Sequence, residues 1–501
     1  MSTVLVIGSG FGGIASALRL RAQGHSVHLI EKLDAVGGRA QVFEHGGYRH
    51  DAGPTVITAP FLFDELFALF GERRADHIRF EALTPWYRFI FPDGDHFDYG
   101  GTLEDTLAEI ARIEPADCAG YESLVAQSKA IFDVGFTQLA HAPFHHFGQM
   151  LKQIPALLRL RSDRTVWNLV CNHLSNDKLR QAFSIQPLLV GGSPFDTTSI
   201  YGLIHYLERA YGIYFAMGGT GALVKALADL MVRHGVTIQT GATVTALNHR
   251  GRTITGVTLQ TGETIEADHV VFNGDPMTLY RTLLPSSALP LSTKLKRDHS
   301  KLSMGLYVLF FGTDCTYDSV AHHTIWMGKR YRELLDDIFH RHLLADDFSL
   351  YVHRPTATDP SFAPDGHDSF YVLAPVPHQG AEIDWTVEEP KLRERIIDAL
   401  DASLLPGLKT HIQAPFAMTP DDFSADYLSH LGAGFSIAPL FTQSAWFRFH
   451  NKAEGFDNLY LAGAGTHPGA GMPGVLSSAK VVEALVAEST AKEVAAMPES
   501  A

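Results

Sequence analysis

The sequence predicts an α/β fold built around a parallel β-sheet with helices packed against it. Near the N terminus, residues 4–31 run through a short apolar stretch, a glycine-rich turn, a helix and a second apolar stretch. A second strand, glycine turn and helix stand near the C terminus, from residue 458 to about 487. This alternation is typical of βαβ units, whose strands are parallel.

The first glycine-rich turn, residues 8–13 with the sequence GSGFGG, fits the pattern G-x-G-x-x-G between a strand and a helix of residues 11–23. In this pattern Gly8 permits a tight turn, Gly10 lets the backbone approach a pyrophosphate, and Gly13 lets the helix lie close to the strand. The helix start offers free N–H groups and a partial positive charge to phosphates. The sequence therefore predicts a Rossmann-type dinucleotide-binding unit.

Glu31 ends the second strand of this unit, residues 26–31. A carboxylate in this position accepts hydrogen bonds from ribose hydroxyls and would repel a 2′-phosphate, which argues against NADP. Two further turns follow closely, at residues 36–39 and 51–55. Arg39 could neutralise phosphates, and the small residues of the second turn suit a flat ring. Because an NAD dehydrogenase does not need these turns, the sequence favours FAD.

The C-terminal turn is the densest in glycine. A strand of residues 458–462 leads into GAGTHPGAGMPG, residues 463–474, and a helix is predicted from about Val475. Five glycines in these twelve residues leave backbone uncovered, so a ring system can approach it closely. The start of the helix would stabilise the negative charge that a reduced flavin carries around N1 and its C2 carbonyl.

The stretches between the turns divide the chain into three predicted parts. Residues 1–95, 213–290 and 446–501 form a discontinuous FAD-binding domain, with short alternating strands between residues 236 and 276. Residues 96–212 are mostly helical and rich in bulky apolar side chains, which favours a helical segment; its assignment to the membrane and the substrate follows only from a family resemblance. Residues 291–445 have a mixed α+β pattern and form an inserted substrate domain.

The composition excludes several classes of function. Of the 501 residues, 46% are hydrophobic and 19% are charged, as in a globular protein. The formal charge of −15 argues against binding to nucleic acid, which needs a basic surface. Cys118, Cys171 and Cys315 lie far apart and are interpreted as reduced thiols of a cytoplasmic protein. The sequence shows no signal peptide and no run that could span a bilayer.

The glycine-rich motifs resemble those of bacterial phytoene desaturases, within the larger flavin-containing amine oxidase-like group. The resemblance rests on GSGFGG at residues 8–13, GGRA at 37–40, DAGPTVIT at 51–58 and NLYLAGAGTHPGAGMPGV at 458–475. It extends over nearly the whole chain. The sequence departs from the family pattern at three places. Ala-Met replaces Pro-Arg at residues 216–217, Phe replaces Pro at residue 449, and Asn-Gly-Asp replaces Asn-Ala-Asp at residues 273–275.

The resemblance implies an FAD-dependent enzyme that oxidises phytoene stepwise to neurosporene or lycopene. A hydride would leave an allylic carbon for the flavin while a proton leaves the neighbouring carbon, and oxygen or a quinone would accept the electrons. By resemblance, Glu31 binds the adenosine ribose, Val244 gives a backbone contact to the adenine, and residues 465–474 surround the isoalloxazine. The predicted cofactor-binding residues are Gly8, Gly10, Phe11, Gly12, Gly13, Glu31, Lys32, Gly38, Arg39, Gly53, Pro54, Thr55, Val244, Gly463, Gly465, Thr466, Gly471, Met472 and Val475.

The sequence shows no nucleophile triad and identifies no definite catalytic base. Glu208 and Arg209 stand beside aromatic residues in a stretch that is predicted to lie near the substrate path. His467 belongs to the C-terminal glycine turn. These three residues are the candidates for a catalytic role, and an exposed helix-end pair is the alternative interpretation of the first two.

A hydrocarbon such as phytoene resides in the bilayer, so its enzyme must touch a membrane. Residues 144–161, FHHFGQMLKQIPALLRLR, combine bulky apolar side chains with basic ones, as interfacial helices do. We therefore expect a peripheral protein that docks on lipid through this segment, with an ordinary core helix as the alternative. The nearby His141, His145 and His146 have no carboxylate at ligand spacing, and no metal site is predicted.

Three other functions remain open from the sequence. An amine oxidase-like enzyme would need a polar anchor for an amine, which the sequence does not show. A desaturase or isomerase of a later carotenoid would share every motif described above. A flavoprotein without catalysis, or a lipid carrier, would bind the flavin but would never be reduced by a polyene.

Overall fold

The computed structural model describes residues 2–143, 148 and 160–496. Its strands, in chain order, are β1 (Thr3–Ile7), β2 (Ser26–Ile30), β3 (Val42–His45), β4 (Tyr48–Asp51), β5 (Phe80–Ala82), β6 (Tyr87–Ile90), β7 (His96–Tyr99), β8 (Tyr214–Ala216), β9 (Thr237–Gln239), β10 (Val244–Arg250), β11 (Thr253–Leu259), β12 (Thr264–Glu266), β13 (His269–Phe272), β14 (Gly305–Thr313), β15 (His323–Trp326), β16 (Leu350–His353), β17 (Asp368–Val376), β18 (Ile412–Met418) and β19 (Leu459–Leu461).

The α-helices of the described residues lie between and after these strands. They span Phe11–Ala22, Pro60–Ala68, Leu103–Ile113, Cys118–Val134, Val166–Cys171, Asp177–Phe183, Leu203–Tyr211, Gly219–Arg233, Pro276–Thr278, Leu291–His299, Tyr331–Asp336, Trp385–Asp401, Leu408–His411, Pro420–Tyr427 and Met472–Ala496.

A five-stranded parallel sheet forms the predicted centre of the fold. Its order is β19-β13-β1-β2-β9, and every neighbouring pair is parallel. The central strand β1 is buried from its second residue onward, which explains its continuous apolar sequence. The N-terminal and C-terminal halves of the chain thus meet in one sheet, and the predicted α/β fold with a parallel sheet is confirmed.

The helices that follow β1 and β19 pack together against this sheet. Arg19 of Phe11–Ala22 joins Glu483 of Met472–Ala496 through a 3.0 Å ion pair. Gly13 permits the close approach of the first helix to its strand, because a Cβ atom there would lie 1.9 Å from the carbonyl oxygen of Gly8. The C-terminal helix begins at Met472, three residues before the predicted start, because Pro473 is tolerated in a first helical turn.

A seven-stranded mixed sheet, in the order β18-β14-β17-β16-β15-β6-β7, forms the second layer. The hairpin β6–β7 joins it because β6 pairs in parallel with β15, with Arg88 opposite Thr324. The domain boundary predicted at residue 95 falls inside this hairpin, so β6 belongs with the second layer and not with the cofactor part. Local periodicity could not show this, because the partner strand lies far along the chain.

Helices between residues 103 and 211 pack against the mixed sheet. The first of them starts at a capping box, in which Thr102 and Asp105 satisfy each other's backbone N–H groups. Their buried side chains share one core with β6, β7 and β14, which includes Tyr121, Phe183 and Phe310. Strands β10–β12 form a separate antiparallel sheet. Among the described residues, the structure has no helix of the length and apolarity needed to cross a membrane.

Candidate active site

A single cavity of about 560 Å³ extends between the parallel sheet and the mixed sheet. Its lining combines the glycine-rich turns at both ends of the chain with apolar side chains from the mixed sheet and the helical part. This volume is within the range of small-molecule sites. Residues that are separated by most of the sequence therefore meet around one space.

The N-terminal turn presents its backbone to this cavity. Gly8 donates its N–H to the carbonyl of Ile30 at 2.8 Å, which holds the turn to β2. The following helix has no side-chain cap and no acidic residue in its first turn. Its first N–H groups and its dipole are therefore available to an anionic group.

Glu31 lies beside this turn, at the end of β2, and is buried. One carboxylate oxygen accepts hydrogen bonds from the backbone N–H and the hydroxyl of Ser9, at 2.8 and 2.6 Å. The other accepts from the N–H of Leu33 at 2.9 Å. These contacts hold the carboxylate against the cavity, where the oxygen that accepts from Leu33 keeps a lone pair for a further donor.

Asn273 connects the two glycine turns, a role that the sequence motifs did not reveal. Its Nδ2 donates to the carbonyl of Ala462 at 3.0 Å. A Cβ atom on Gly12 would lie 2.5 Å from the same Nδ2, and one on Gly463 would lie 2.7 Å from it. The absence of side chains at these glycines therefore gives room to an amide that bridges β13 and β19.

Two basic side chains line the same part of the cavity. Lys32 donates through Nζ to the carbonyls of Ala425 and Asp426, at 2.7 and 3.2 Å. Arg39 donates through Nη2 to the hydroxyl of Ser429 at 2.6 Å. Each contact uses only part of the donor capacity of its group, so both cations can also serve an anion in the cavity.

The C-terminal turn is held from behind by Arg448, which is 1% exposed. Its guanidinium donates to the carbonyls of Thr466 and Ala464, at 3.1 and 2.6 Å. His467 lies in the turn, and its Nε2–H donates to the carbonyl of Leu139 at 2.9 Å. Burial lowers the pKa of His467 to about 4, so the ring is neutral at physiological pH. His467 thereby ties the glycine turn to the helical wall.

Glu208 projects from the helix Leu203–Tyr211 into the apolar part of the cavity. The carboxyl group is completely buried, and the hydroxyl of Tyr87 donates to its Oε1 at 3.4 Å. Burial raises the pKa of Glu208 from 4.5 to about 8, so the group is mostly protonated at neutral pH. A carboxyl group with such a pKa can take up or release a proton near physiological pH.

Arg209 is separated from its neighbour Glu208 and lies outside the lining of the cavity. Its guanidinium donates to the carbonyl of Gly101 at 2.8 Å and to the hydroxyl of Thr106 at 2.6 Å, and it lies over the ring of Trp86. These contacts join two helices to the β6–β7 region. Arg209 therefore does not face the cavity beside Glu208, since consecutive helical residues point about 100° apart.

The structure brings nearly all the predicted cofactor-binding residues to this one cavity. Gly13 and Thr466 are the exceptions: the first packs against Gly8, and the second donates its hydroxyl to the carbonyl of Phe449 at 2.7 Å. Sequence reasoning missed the wall that the mixed sheet supplies. The periodicity of a strand shows that its side chains point alternately to the two faces of a sheet. It does not show which strands, distant in sequence, contribute side chains to the same face. The missed residues include Tyr87, Asn273, Asp275, Ile325, Tyr351, Tyr371 and Leu373.

Comparison with known proteins agrees with this arrangement. Residues 11–482 match the family of flavin containing amine oxidoreductases. The chain is 45% identical, over 489 residues, to the lycopene-forming phytoene desaturase of Pseudescherichia vulneris, with 97% of this chain and 99% of that protein covered. The chain belongs to the phytoene desaturases of this family. The desaturase is therefore an FAD-dependent oxidoreductase, as the motifs predict.

Other relatives extend this comparison. The neurosporene-forming phytoene desaturase of Rhodobacter capsulatus is 39% identical over 499 residues, with 98% of this chain and 95% of that protein covered. The solved structure of cyclohexylamine oxidase from Brevibacterium oxydans IH-35A superposes with a TM-score of 0.63 at 16% identity, with 97% and 99% of the two chains covered. This desaturase thus shares its fold with flavoenzymes that act on amines.

Proposed function

We propose that the chain oxidises phytoene stepwise toward neurosporene or lycopene, with FAD as the first electron acceptor. One observation carries the proposal: a single cavity joins the glycine-rich turns to a wall of apolar side chains. A hydrocarbon offers no group for a hydrogen bond, so an apolar wall is what its recognition requires. The relatives at 39–45% identity that form lycopene or neurosporene support the same substrate.

The residues of the cavity fit FAD. The uncapped helix Phe11–Ala22 and the cations Lys32 and Arg39 suit the pyrophosphate, and Glu31 suits the adenosine ribose. Val244 lines the same end, where the adenine would contact its backbone. The isoalloxazine suits the remaining predicted cofactor-binding residues, which are Gly53, Pro54, Thr55 and those of the turn that begins at Gly463. Bound FAD supplies the acceptor for the two electrons of each desaturation.

We assign to Glu208 the role of accepting the proton that leaves the substrate with each desaturation. It lies in the apolar wall, completely buried, on the same helix as the lining residues Ile204 and Leu207. In its ionised form it can accept the proton that leaves the substrate carbon. His467 we assign to positioning, because its ring nitrogen already donates to Leu139 and holds the glycine turn in place.

Membrane docking through residues 144–161 remains part of the proposal, and this segment lies almost entirely outside the described residues. Support comes from the stretch just before it, since Gly135, Phe136, Leu139 and Ala140 line the cavity. A docked segment would therefore lie next to a route by which a hydrocarbon could leave the bilayer. The peripheral, cytoplasmic location and the oxygen or quinone acceptor belong to the same proposal.

The direct test is incubation of the purified chain with phytoene in liposomes, with and without added FAD. Coloured products that form only with FAD would support the proposal, and their absorption bands would count the conjugated double bonds. Parallel reactions under air, and without oxygen but with a quinone, would distinguish the electron acceptors. Unchanged phytoene in the presence of bound flavin and both acceptors would refute the substrate assignment.

Docking is tested separately by liposome co-sedimentation of a variant that carries charges in the segment, Leu157→Glu with Leu158→Glu. We expect a loss of at least tenfold in the bound fraction, because charged side chains are excluded from the apolar part of the interface. The matched control charges two exposed apolar residues on other helices, Leu295→Glu with Val387→Glu, which are 51% and 48% exposed. Equal co-sedimentation of both variants would contradict the docking proposal.

A further inference from the structure

Three histidines form a buried cluster behind the wall of the cavity. His323 and His353 are directly opposite each other on the antiparallel strands β15 and β16, so their side chains share one face. His322, the residue just before β15, contacts both, with ring centroids 4.6 and 4.8 Å away. One nitrogen from each ring lies within 4.8 Å of the others. The cluster is closed to solvent, since these residues are 5%, 0% and 0% exposed.

The nitrogen atoms of this cluster are only partly satisfied by the protein. Nδ1 of His322 lies 2.7 Å from the hydroxyl of Thr358, and Nδ1 of His323 lies 2.7 Å from that of Tyr351. Within the described part of the chain, Nε2 of these two rings and both nitrogens of His353 have no hydrogen-bond partner. Buried polar atoms rarely remain unpaired, so three imidazoles that converge in this way indicate a bound group.

We infer that His322, His323 and His353 bind a divalent metal ion of the zinc class. Three imidazole nitrogens suit zinc and the neighbouring transition metals, whereas magnesium and calcium require oxygen ligands. This site goes beyond the desaturase function. It also departs from the expectation, drawn from the sequence, that the chain has no metal site.

The surroundings of the cluster have the features that metal-bound histidines need. The hydroxyls of Thr358 and Tyr351 each contact the second nitrogen of one ring, and each can accept a hydrogen bond from Nδ1–H, the arrangement that leaves Nε2 free to bind a metal. Asp51, whose Oδ2 lies 3.8 Å from Nε2 of His353, supplies negative charge for a buried cation.

The site is connected to the cavity through one side chain. The hydroxyl of Tyr351, which contacts His323, also lies 2.7 Å from the hydroxyl of Thr55. Both Tyr351 and Thr55 line the cavity. A metal ion would therefore fix β15 and β16 to each other and, through this chain of hydrogen bonds, would hold the wall of the cavity in one position.

The first experiment measures the metal content of the full-length, untagged chain with FAD bound, purified without chelators. Elemental analysis by mass spectrometry should find about one zinc-class ion per chain. X-ray absorption at the edge of that metal should show imidazole nitrogens at about 2.0–2.1 Å. Less than about one tenth of an ion per chain, even after expression with added Zn²⁺, Fe²⁺ and Ni²⁺, would overturn the proposal.

Variants then locate the ion. His322→Gln, His323→Gln and His353→Gln should each retain less than about one tenth of the metal. Two controls should keep it: His205→Gln, which changes another completely buried histidine, and His411→Ala, which disrupts a partly exposed group of Asp314, Cys315 and His411. Metal that is lost from His411→Ala, or kept in the three cluster variants, would place the ion elsewhere and reject the site.

Thr358→Val covers the case in which the cluster variants fail to fold. This change keeps the size of the side chain and removes only the hydroxyl that contacts Nδ1 of His322. A metal bound by His322 should then bind about 10- to 100-fold more weakly, because groups that hold a metal-bound histidine by its other nitrogen contribute that much to metal affinity. Unchanged affinity in a folded Thr358→Val that retains its flavin would count against the site.

Discussion

The two halves of the cavity are built in different ways. The half next to the parallel sheet consists of backbone that glycines leave uncovered, at residues 8–13 and 463–474. The half next to the mixed sheet consists of side chains such as Tyr87, Leu207 and Tyr351. Contiguous sequence motifs form the first half, whereas the second half forms only when strands and helices that are distant in sequence come together. A backbone surface should tolerate almost no added atoms, whereas a side-chain surface should tolerate changes that conserve volume.

The largest expected effect is that of Gly13→Ala. The added Cβ would lie 1.9 Å from the carbonyl oxygen of Gly8, a backbone atom that cannot move without the turn. We expect the variant to retain less than about one tenth of the flavin per chain, by absorbance. Gly24→Ala, just after the other end of the same helix, is the control, because its Cβ would meet no atom within 4 Å and Gly24 does not line the cavity. Equal flavin loss in both variants would contradict a backbone-built half.

In the side-chain half, Glu208→Gln tests chemistry without a change in volume. We expect kcat to fall by about 10²- to 10⁴-fold, the usual contribution of a positioned acid or base, with the flavin content unchanged. In the unmodified chain, kcat should rise with pH up to about 8, as Glu208 ionises. Tyr87→Phe is the control, since it keeps the carboxyl group. Wild-type kcat in Glu208→Gln would exclude Glu208 as the proton acceptor.

Arg448 tests how the backbone half is supported. Arg448→Met leaves the carbonyls of Ala464 and Thr466 without this buried donor. We expect the free energy of unfolding to fall by about 3 kcal/mol, since each buried polar group left unpaired costs about 1–3 kcal/mol. Thermal denaturation measures the change, and Arg393→Met, at a partly exposed ion pair with Glu389, should cost far less. Similar thermal midpoints for Arg448→Met and Arg393→Met would show that Arg448 does not stabilise the C-terminal turn.

The pH dependence of stability provides a further test of Glu208. Its pKa in the folded protein is about 8, above the ordinary value of 4.5, so its protonated form favours the folded state. This contribution is complete below about pH 4.5 and is lost as the pH rises to about 8. Relative to the unmodified chain, Glu208→Gln should therefore gain on the order of 3 kcal/mol between pH 5 and pH 9. If the melting temperatures of the unmodified chain and of Glu208→Gln changed with pH in the same way, burial would not raise the pKa of Glu208.

The smallest expected effect is that of Glu31→Gln. The amide keeps the size of the side chain but has one acceptor oxygen and no charge, which weakens its hydrogen bonds to the turn and to ribose hydroxyls. We expect the Kd for FAD to rise about fivefold, which corresponds to about 1 kcal/mol, by titration of flavin fluorescence. Glu44→Gln, a change at an exposed carboxylate on β3, should leave the Kd unchanged.

The comparison of the two halves also explains how far the sequence could predict this site. The turn at residues 8–13, Glu31 and the C-terminal turn were predicted to serve one cofactor, and the structure brings them to one cavity. Asn273 was noted only as part of a departure from the family pattern, although it bridges both turns. Its role depends on the pairing of β13 with β1 and β19, which local sequence does not specify.

The candidates for chemistry show the same limit. Glu208 and Arg209 are adjacent in sequence and looked equivalent, yet Glu208 lines the cavity and Arg209 contacts Gly101 and Trp86. Nothing in the local sequence associates His353 with His322 and His323. These histidines meet because β15 and β16 are antiparallel neighbours in the register that places His323 opposite His353.

The sequence by itself determined the class of fold, the cofactor and the family, because each depends on short contiguous motifs. A glycine turn between a strand and a helix has the same physical meaning wherever it occurs, since only glycine leaves the backbone open to a ligand. The tertiary structure alone decided which side chains line the apolar wall, how burial shifts the pKa of Glu208, and which histidines converge. Those properties depend on neighbours that are distant in sequence, and burial, charge and register exist only after the chain has folded.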